Sequence, residues 1–152
     1  MIWKHGNIWV WYKLGRTIVV PTNAGWKSSG ENVMGAGLAK QASELVTDLP
    51  GVYGQDCRSG LPWKYYPEWH MICVPTKPLN TVCPHLSWQG LADVGTIQGS
   101  LRWLEENAQC FPNVVYVPLL GAGNGGLAPE LVQTYMEATL KAECFVGVVW
   151  NP

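Results

Sequence analysis

Charge is scarce in this chain. Asp, Glu, Lys and Arg together make up 14% of the 152 residues, and the formal net charge is −1. No basic surface therefore advertises a general affinity for nucleic acid or for an anionic membrane. The cysteines, Cys57, Cys73, Cys83, Cys110 and Cys144, form an odd set with no CxxC pair. That argues against a disulfide framework and suits a reducing compartment. No apolar run approaches the length of a membrane span, and the opening MIWKH lacks an apolar signal region. These absences predict a soluble cytoplasmic protein built as one domain over residues 1–152, without a membrane partner. The few cations lean toward the start: Lys4, Lys13, Arg16 and Lys27 all precede the first acid, Glu31. Such a bias mildly favours an anionic ligand.

What is present is a regular succession of apolar segments. NIWVWYKL alternates like a strand, LGR turns, and RTIVVPTN reads as a continuous apolar strand, so an N-terminal hairpin is expected. GLAKQASELVTDL reads as a helix closed by Pro50-Gly51. Residues 51–70, rich in Gly, Pro and aromatics, read as an irregular excursion. HMICVPT is a further strand. Leu91, Val94, Ile97, Leu101 and Leu104 recur at helical spacing and predict a helix over about 91–108. NVVYVPLL is a strand, PELVQTYMEATLKA a helix with Pro129 in its first turn, and CFVGVVW a last strand. Strands apolar on both faces, alternating with helices, predict an α/β sandwich with a sheet covered on each side. Ligands in such folds sit beyond the carboxyl ends of the strands. Three unusual segments fall there: PTN after TIVV, PTK after MICV, and GAGNGGL after VYVPLL.

Gly121 to Gly126 formally match GxGxxG, between a strand and a helix, which raises a dinucleotide-binding unit as a rival. The strand that follows, CFVGVVW, ends in Trp-Asn-Pro without the acid such a unit uses for ribose, and no second half is expected. Gly30 to Gly35 mimic the spacing of a P-loop, but Ala36-Gly37 stand where its Lys and Ser/Thr would be. The physical property outlives both motif names. Glycine lets the main chain approach a ligand closely, and successive N–H groups near a helix start form a concave anion site. MGAGLA and GAGNGGL are two such loops at one sheet edge, which suits a diphosphate.

Taken together, GNIW, VVPTN, VMGAGLAKQ, PTK and PLLGAGNGGL, in this order and spacing, resemble the macrodomain family. They look closest to the branch holding the terminal ADP-ribose protein glycohydrolase and the antitoxin macrodomains that remove ADP-ribose from DNA. The resemblance covers essentially the whole chain. It implies a three-layer α/β/α sandwich with a mixed central sheet, binding ADP-ribose or its conjugates. By position, Asn7 and Ile8 would contact adenine, with Asn7 in place of the usual Asp, and Asn23 would meet the distal ribose. Thr22 and Thr76 accompany these positions in the two PT motifs. Met34, Gly35, Ala36, Gly37 and Leu38 would lie along the diphosphate and distal ribose. Gly121, Ala122, Gly123, Asn124, Gly125, Gly126 and Leu127 would form the second phosphate loop.

Lys77 and Asn23 are the catalytic candidates implied by the resemblance. An opened ribose exposes an aldehyde carbon with which a desolvated lysine forms a Schiff base. A charged Lys77 would instead hold phosphate or steady a leaving group. Some members of the branch carry an acid in the second loop, where this chain has Gly125, and no acid lies between Glu106 and Glu130. The general acid stays open among Asp93, His85 and water. The expected function is an ADP-ribosyl hydrolase acting on a protein or nucleic-acid conjugate, with no metal and no cofactor. A non-catalytic ADP-ribose reader and an ADP-ribose 1″-phosphate phosphatase are the alternatives. Zinc at His70, Cys73, Cys83 and His85 is disfavoured, because residues three apart on a strand diverge. Trp63 and Tyr65 read as a packed strand face, while Trp88 is kept as a platform for a base.

Overall fold

The structure is a computed structural model that describes residues 1–151. Its strands are β1 (Ile2–Gly6), β2 (Thr17–Asn23), β3 (Lys64–Tyr66), β4 (Met71–Lys77), β5 (Val115–Pro118) and β6 (Phe145–Trp150). Its α-helices are α1 (Ile8–Lys13), α2 (Gly37–Leu45), α3 (Leu49–Arg58), α4 (Val94–Glu106) and α5 (Pro129–Thr139). The strands form one sheet in the order β1-β6-β5-β2-β4-β3, parallel throughout except for β3, which runs antiparallel to β4. None of the helices is long and apolar enough to cross a membrane, among the described residues.

Alternation along the strands divides the core in two. Ile18, Val20, Met71, Cys73, Tyr116, Val146 and Val148 face a layer made by α1, α2 and α3. Their neighbours Val19, Ile72, Val74, Val115, Val117 and Phe145 face α4 and α5 instead. Both faces are buried, so the central strands carry no polar side and read as unbroken apolar runs. The result is the expected three-layer sandwich with a mixed sheet.

Three local expectations are corrected. Residues 7–14 are no strand, and there is no N-terminal hairpin: α1 occupies Ile8–Lys13, and the Asn7 side chain accepts the Trp9 N–H at 3.0 Å as its cap. A run of aromatics suits either period, and here tertiary partners decide. Trp9 and Tyr12, three apart, meet edge to face at 5.1 Å, and Trp11 stacks on Tyr116 at 5.0 Å. The true edge strand is β1, whose exposed Lys4 and His5 disguise it as a loop.

The helix expected to run on to Pro50 ends at Leu45, because Val46 is extended (φ −121°). Pro50 begins α3 rather than closing α2, since its missing N–H does no harm in a first turn. Residues 51–70 accordingly hold most of α3 and all of β3. Gly54 lets α3 lie directly on the 30–32 loop; a Cβ there would collide with the Gly30 carbonyl oxygen. The remaining helices and strands fall within a few residues of expectation.

Two stability outcomes follow. Gly54→Ala should cost about 1–3 kcal/mol, as backbone on both sides must give way, read by urea unfolding with an unchanged m-value. Asp93 caps α4 by accepting the Thr96 N–H at 2.8 Å and its hydroxyl at 2.7 Å. The Thr96 hydroxyl, then its N–H, hold the Asp93 carboxyl below its ordinary range. A depressed folded value means stability present above the unfolded pKa and lost as pH falls through the folded one. Asp93→Ala should therefore cost roughly 1 kcal/mol at neutral pH, with the deficit fading in acid.

Candidate functional site

The strand order reverses between β5 and β2. From β2 the chain runs through α2 and α3 to the edge strand β3, turns back into β4 beside β2, then crosses through α4 to β5 on the other side. Such a reversal leaves a crevice at the carboxyl ends of the two inner strands. Register shows where it opens. β2 pairs with β4 as far as Asn23↔Lys77, whereas β2 and β5 pair only at Thr17↔Val115 and Ile18↔Tyr116. Pro21 and Pro118 lie past that point and have no N–H with which to extend the ladder. A cleft of about 1100 Å³ lies over this gap, lined by Pro21, Thr22 and Asn23 from β2 and by Pro118 and Leu119 at the end of β5.

The two glycine loops form its walls. Gly35, Ala36, Gly37 and Leu38 lead into α2, whose N-cap, Ala36, offers no side-chain hydrogen bond. The first-turn N–H groups of α2 therefore have no side chain capping them. Opposite stand Gly121, Ala122, Gly123, Asn124 and Gly125, ending in a short 3-10 turn over Gly123–Gly125, again without a side-chain cap. The loops meet: the Asn124 amide nitrogen lies 2.7 Å from where a Cβ on Gly37 would sit, and Gly37 has φ +59°. Any side chain at Gly37 would push the loops apart and strain its own backbone. Gly121, at φ +89°, lies against Ile97 and Ala92, so the second loop rests on the start of α4. The Ala92 N–H donates to the Gly125 carbonyl at 2.8 Å and the Asp93 N–H to the Thr76 carbonyl at 2.9 Å, tying that loop to β4.

Lys77 is the one charged residue lining the cleft among the described residues. Its Nζ donates to the Trp88 carbonyl at 2.7 Å, and Trp88, 47% exposed, lines the same rim. Asn23 is buried and largely engaged. Its Oδ1 accepts the Gly25 N–H at 3.0 Å and the Asn32 amide at 3.2 Å, while its Nδ2 donates to the Val33 carbonyl at 2.8 Å. One N–H of that amide remains for a ligand. Asn32, unremarked in the sequence, is the organiser of this turn. Its Nδ2 also reaches the carbonyls of Asn23 (2.9 Å) and Gly25 (2.8 Å), all inside the protein. The Thr22 hydroxyl is paired with the buried Tyr53 hydroxyl at 2.6 Å, and that of Thr76 donates to the Thr22 carbonyl at 3.3 Å.

Most of the binding and catalytic residues implied by the resemblance thus converge on one cleft, but four of them do not line it, and neither do the general-acid candidates Asp93 and His85. Asn7 is the α1 cap. Met34 is buried in the core beneath α2. Gly126 (φ +78°) closes the second loop, and Leu127 packs below it, its N–H donating to the Gly121 carbonyl at 3.1 Å. Conversely, Gly6, Ile8, Val148 and Trp150 gather at the β6 end, with Gln41 on α2 nearby. Ile8 alone of these was singled out beforehand. Trp150 had a readable signal, since it ends a parallel strand at the same sheet edge.

No group of three or more His, Cys, Asp or Glu residues is placed to hold a metal, among the described residues. Burial keeps the Cys73 thiol protonated well beyond neutral pH and pushes that of Cys57 up to about 12, so neither serves as a nucleophile. Asp93, ionised and off the cleft, is unsuited to act as general acid. Trp63 and Tyr65 pack against α4 and Phe111 as a strand face should.

No family model matches the chain, and no curated protein sequence does either. Solved structures do. The macrodomain of Thermus aquaticus DarG superposes with a TM-score of 0.72 at 23% identity, over 99% of this chain and 97% of that one. The macrodomain of Mycobacterium tuberculosis DarG gives 0.68 at 22%, over 90% and 89%. Thermosipho africanus DarTG, solved in complex with ADP-ribose, gives 0.68 at 22%, over 90% of this chain but 38% of its own. Likeness along nearly the whole length, with the sheet order and layers described above, establishes that this chain has a macrodomain fold close to that of DarG.

Proposed function

We propose that the cleft binds ADP-ribose and that the chain releases it from a protein or nucleic-acid carrier. The observation that carries this reading is the meeting of two uncapped glycine loops over a cleft whose one lining charge is Lys77. Main-chain N–H groups and a helix start favour a diphosphate without needing many cations. Nζ of Lys77 sits at the β4 end, where the distal ribose of a ligand spanning both loops would lie. In neutral form it can donate to the Trp88 carbonyl and still present its lone pair to C1″. Attack forms the C1″–N bond as the bond from C1″ to the carrier breaks, the carrier leaving with its electron pair and taking up a proton. The C1″–O4″ bond of the resulting glycosylamine then opens, its remaining N–H proton passing to O4″, and water hydrolyses the imine so formed, restoring the amine and freeing ADP-ribose. The remaining Asn23 N–H would steady a ribose hydroxyl.

A reader without turnover is the second reading, favoured by one feature: no Asp or Glu lines the cleft among the described residues, leaving water as proton donor. The phosphatase reading lacks a nucleophile, because the hydroxyls of Thr22 and Thr76 are already engaged.

Purified protein should release ADP-ribose from a modified protein or DNA oligonucleotide. Lys77→Ala should lower that release at least a hundredfold while calorimetry still detects ADP-ribose binding. Tight binding by the wild type with no release from either conjugate would select the reader. Gly37→Ala should weaken ADP-ribose binding tenfold or more; an unchanged dissociation constant would contradict the loop assignment.

A further inference from the structure

Resting on the hydrolase reading, we propose that Ser87 is a positioning residue for Lys77, acting through the main-chain carbonyl of the next residue, Trp88. A lysine ends in a compact charge on a flexible stem, so its amine needs a partner to fix its place. Among the described residues Nζ makes one hydrogen bond, to the Trp88 carbonyl at 2.7 Å, and no Asp or Glu lines the cleft to pair with it. The position of the amine therefore depends on where the chain between β4 and α4 carries Trp88.

That stretch has no regular structure beyond a 3-10 turn at Pro84–Leu86. Ser87 is the one buried residue between Lys77 and Ala92, whereas Trp88, Gln89, Gly90 and Leu91 are exposed. Its Oγ accepts the Asn80 N–H at 2.9 Å and donates to the Pro84 carbonyl at 2.8 Å, closing the turn. Gly25 seats the closed turn against the end of β2: a Cβ there would collide with the Pro84 carbonyl oxygen and with Ser87. Gly25 is itself held, its N–H donating to Asn23 Oδ1 at 3.0 Å and its carbonyl accepting from Asn32 at 2.8 Å. Ser87 thus ties the carbonyl that holds Lys77 to the turn that carries Asn23. It does not line the cleft, so it acts on the ligand only through its neighbours.

The test compares Ser87→Ala with the wild type on an ADP-ribosylated protein and on an ADP-ribosylated DNA oligonucleotide. kcat for release should fall about tenfold or more, because a small displacement of a reacting group is costly. The dissociation constant for ADP-ribose, read by calorimetry, should stay near its wild-type value. Sodium cyanoborohydride with ADP-ribose should leave a reduced adduct on Lys77, located by peptide mass spectrometry, and this trapping should slow in parallel with kcat. In a Lys77→Ala background the same substitution should leave the residual release unchanged, since its effect passes through that amine. An undiminished kcat in Ser87→Ala, an equal loss of binding, or a further loss in the Lys77→Ala background overturns the positioning role while the hydrolase reading stands. No release by the wild type from either conjugate removes the hydrolase reading and this inference with it.

Discussion

The site exists because one pair of parallel strands stops pairing early. β2 pairs with β4 from Ile18 to Asn23, with one irregularity between Thr22 and Asn23, yet its ladder to β5 ends at Ile18 and Tyr116. Beyond that register the two strands must hand their chain to different layers, β2 toward α2 and β5 toward α5. The glycine loops are the means of that departure, and the gap between them is the cleft. Prolines at Pro21 and Pro118 remove the N–H groups that would otherwise seek a partner across the gap.

Recognition by main chain, as proposed for this cleft, would need little side-chain charge. A cleft of this size with a single lysine would bind a dianion poorly through side chains alone. Two loops of N–H groups change that balance, and they act at short range where salt screens little. Their geometry is in turn held from behind. Asn32 and Asn23 fix the turn after β2 through five carbonyl and amide contacts. Ala92, Asp93 and Ile97 brace the second loop. The backbone that lines the cleft is therefore positioned from behind, Asn23 being the one of these residues that also lines it.

Legibility in the sequence followed the range of the interactions. TIVVPTN, MICVPTK and VYVPLL announced buried parallel strands because their apolarity is local and two-sided, and their glycine-rich or PT endings marked the sheet edge. The loops and Lys77 could be placed on that ground. What escaped depends on distant neighbours. α1 is a helix because Trp11 finds Tyr116 and Asn7 caps Trp9. α3 forms because Gly54 admits the 30–32 loop. Gln41 lines the cleft one turn beyond Gly37 on the same helix, and its side-chain oxygen accepts from Trp9, 32 residues away. No periodicity in the sequence encodes such a pairing.

The central claim is that main-chain N–H groups of two separate turns hold the ligand's diphosphate. The most direct measurement is an amide chemical-shift titration of labelled protein with ADP-ribose. The account predicts that the largest perturbations fall together on Gly37, Leu38 and Ala39 and on Gly123, Asn124 and Gly125, saturating with one affinity. Perturbations confined to one loop, or centred on any other surface, would contradict it.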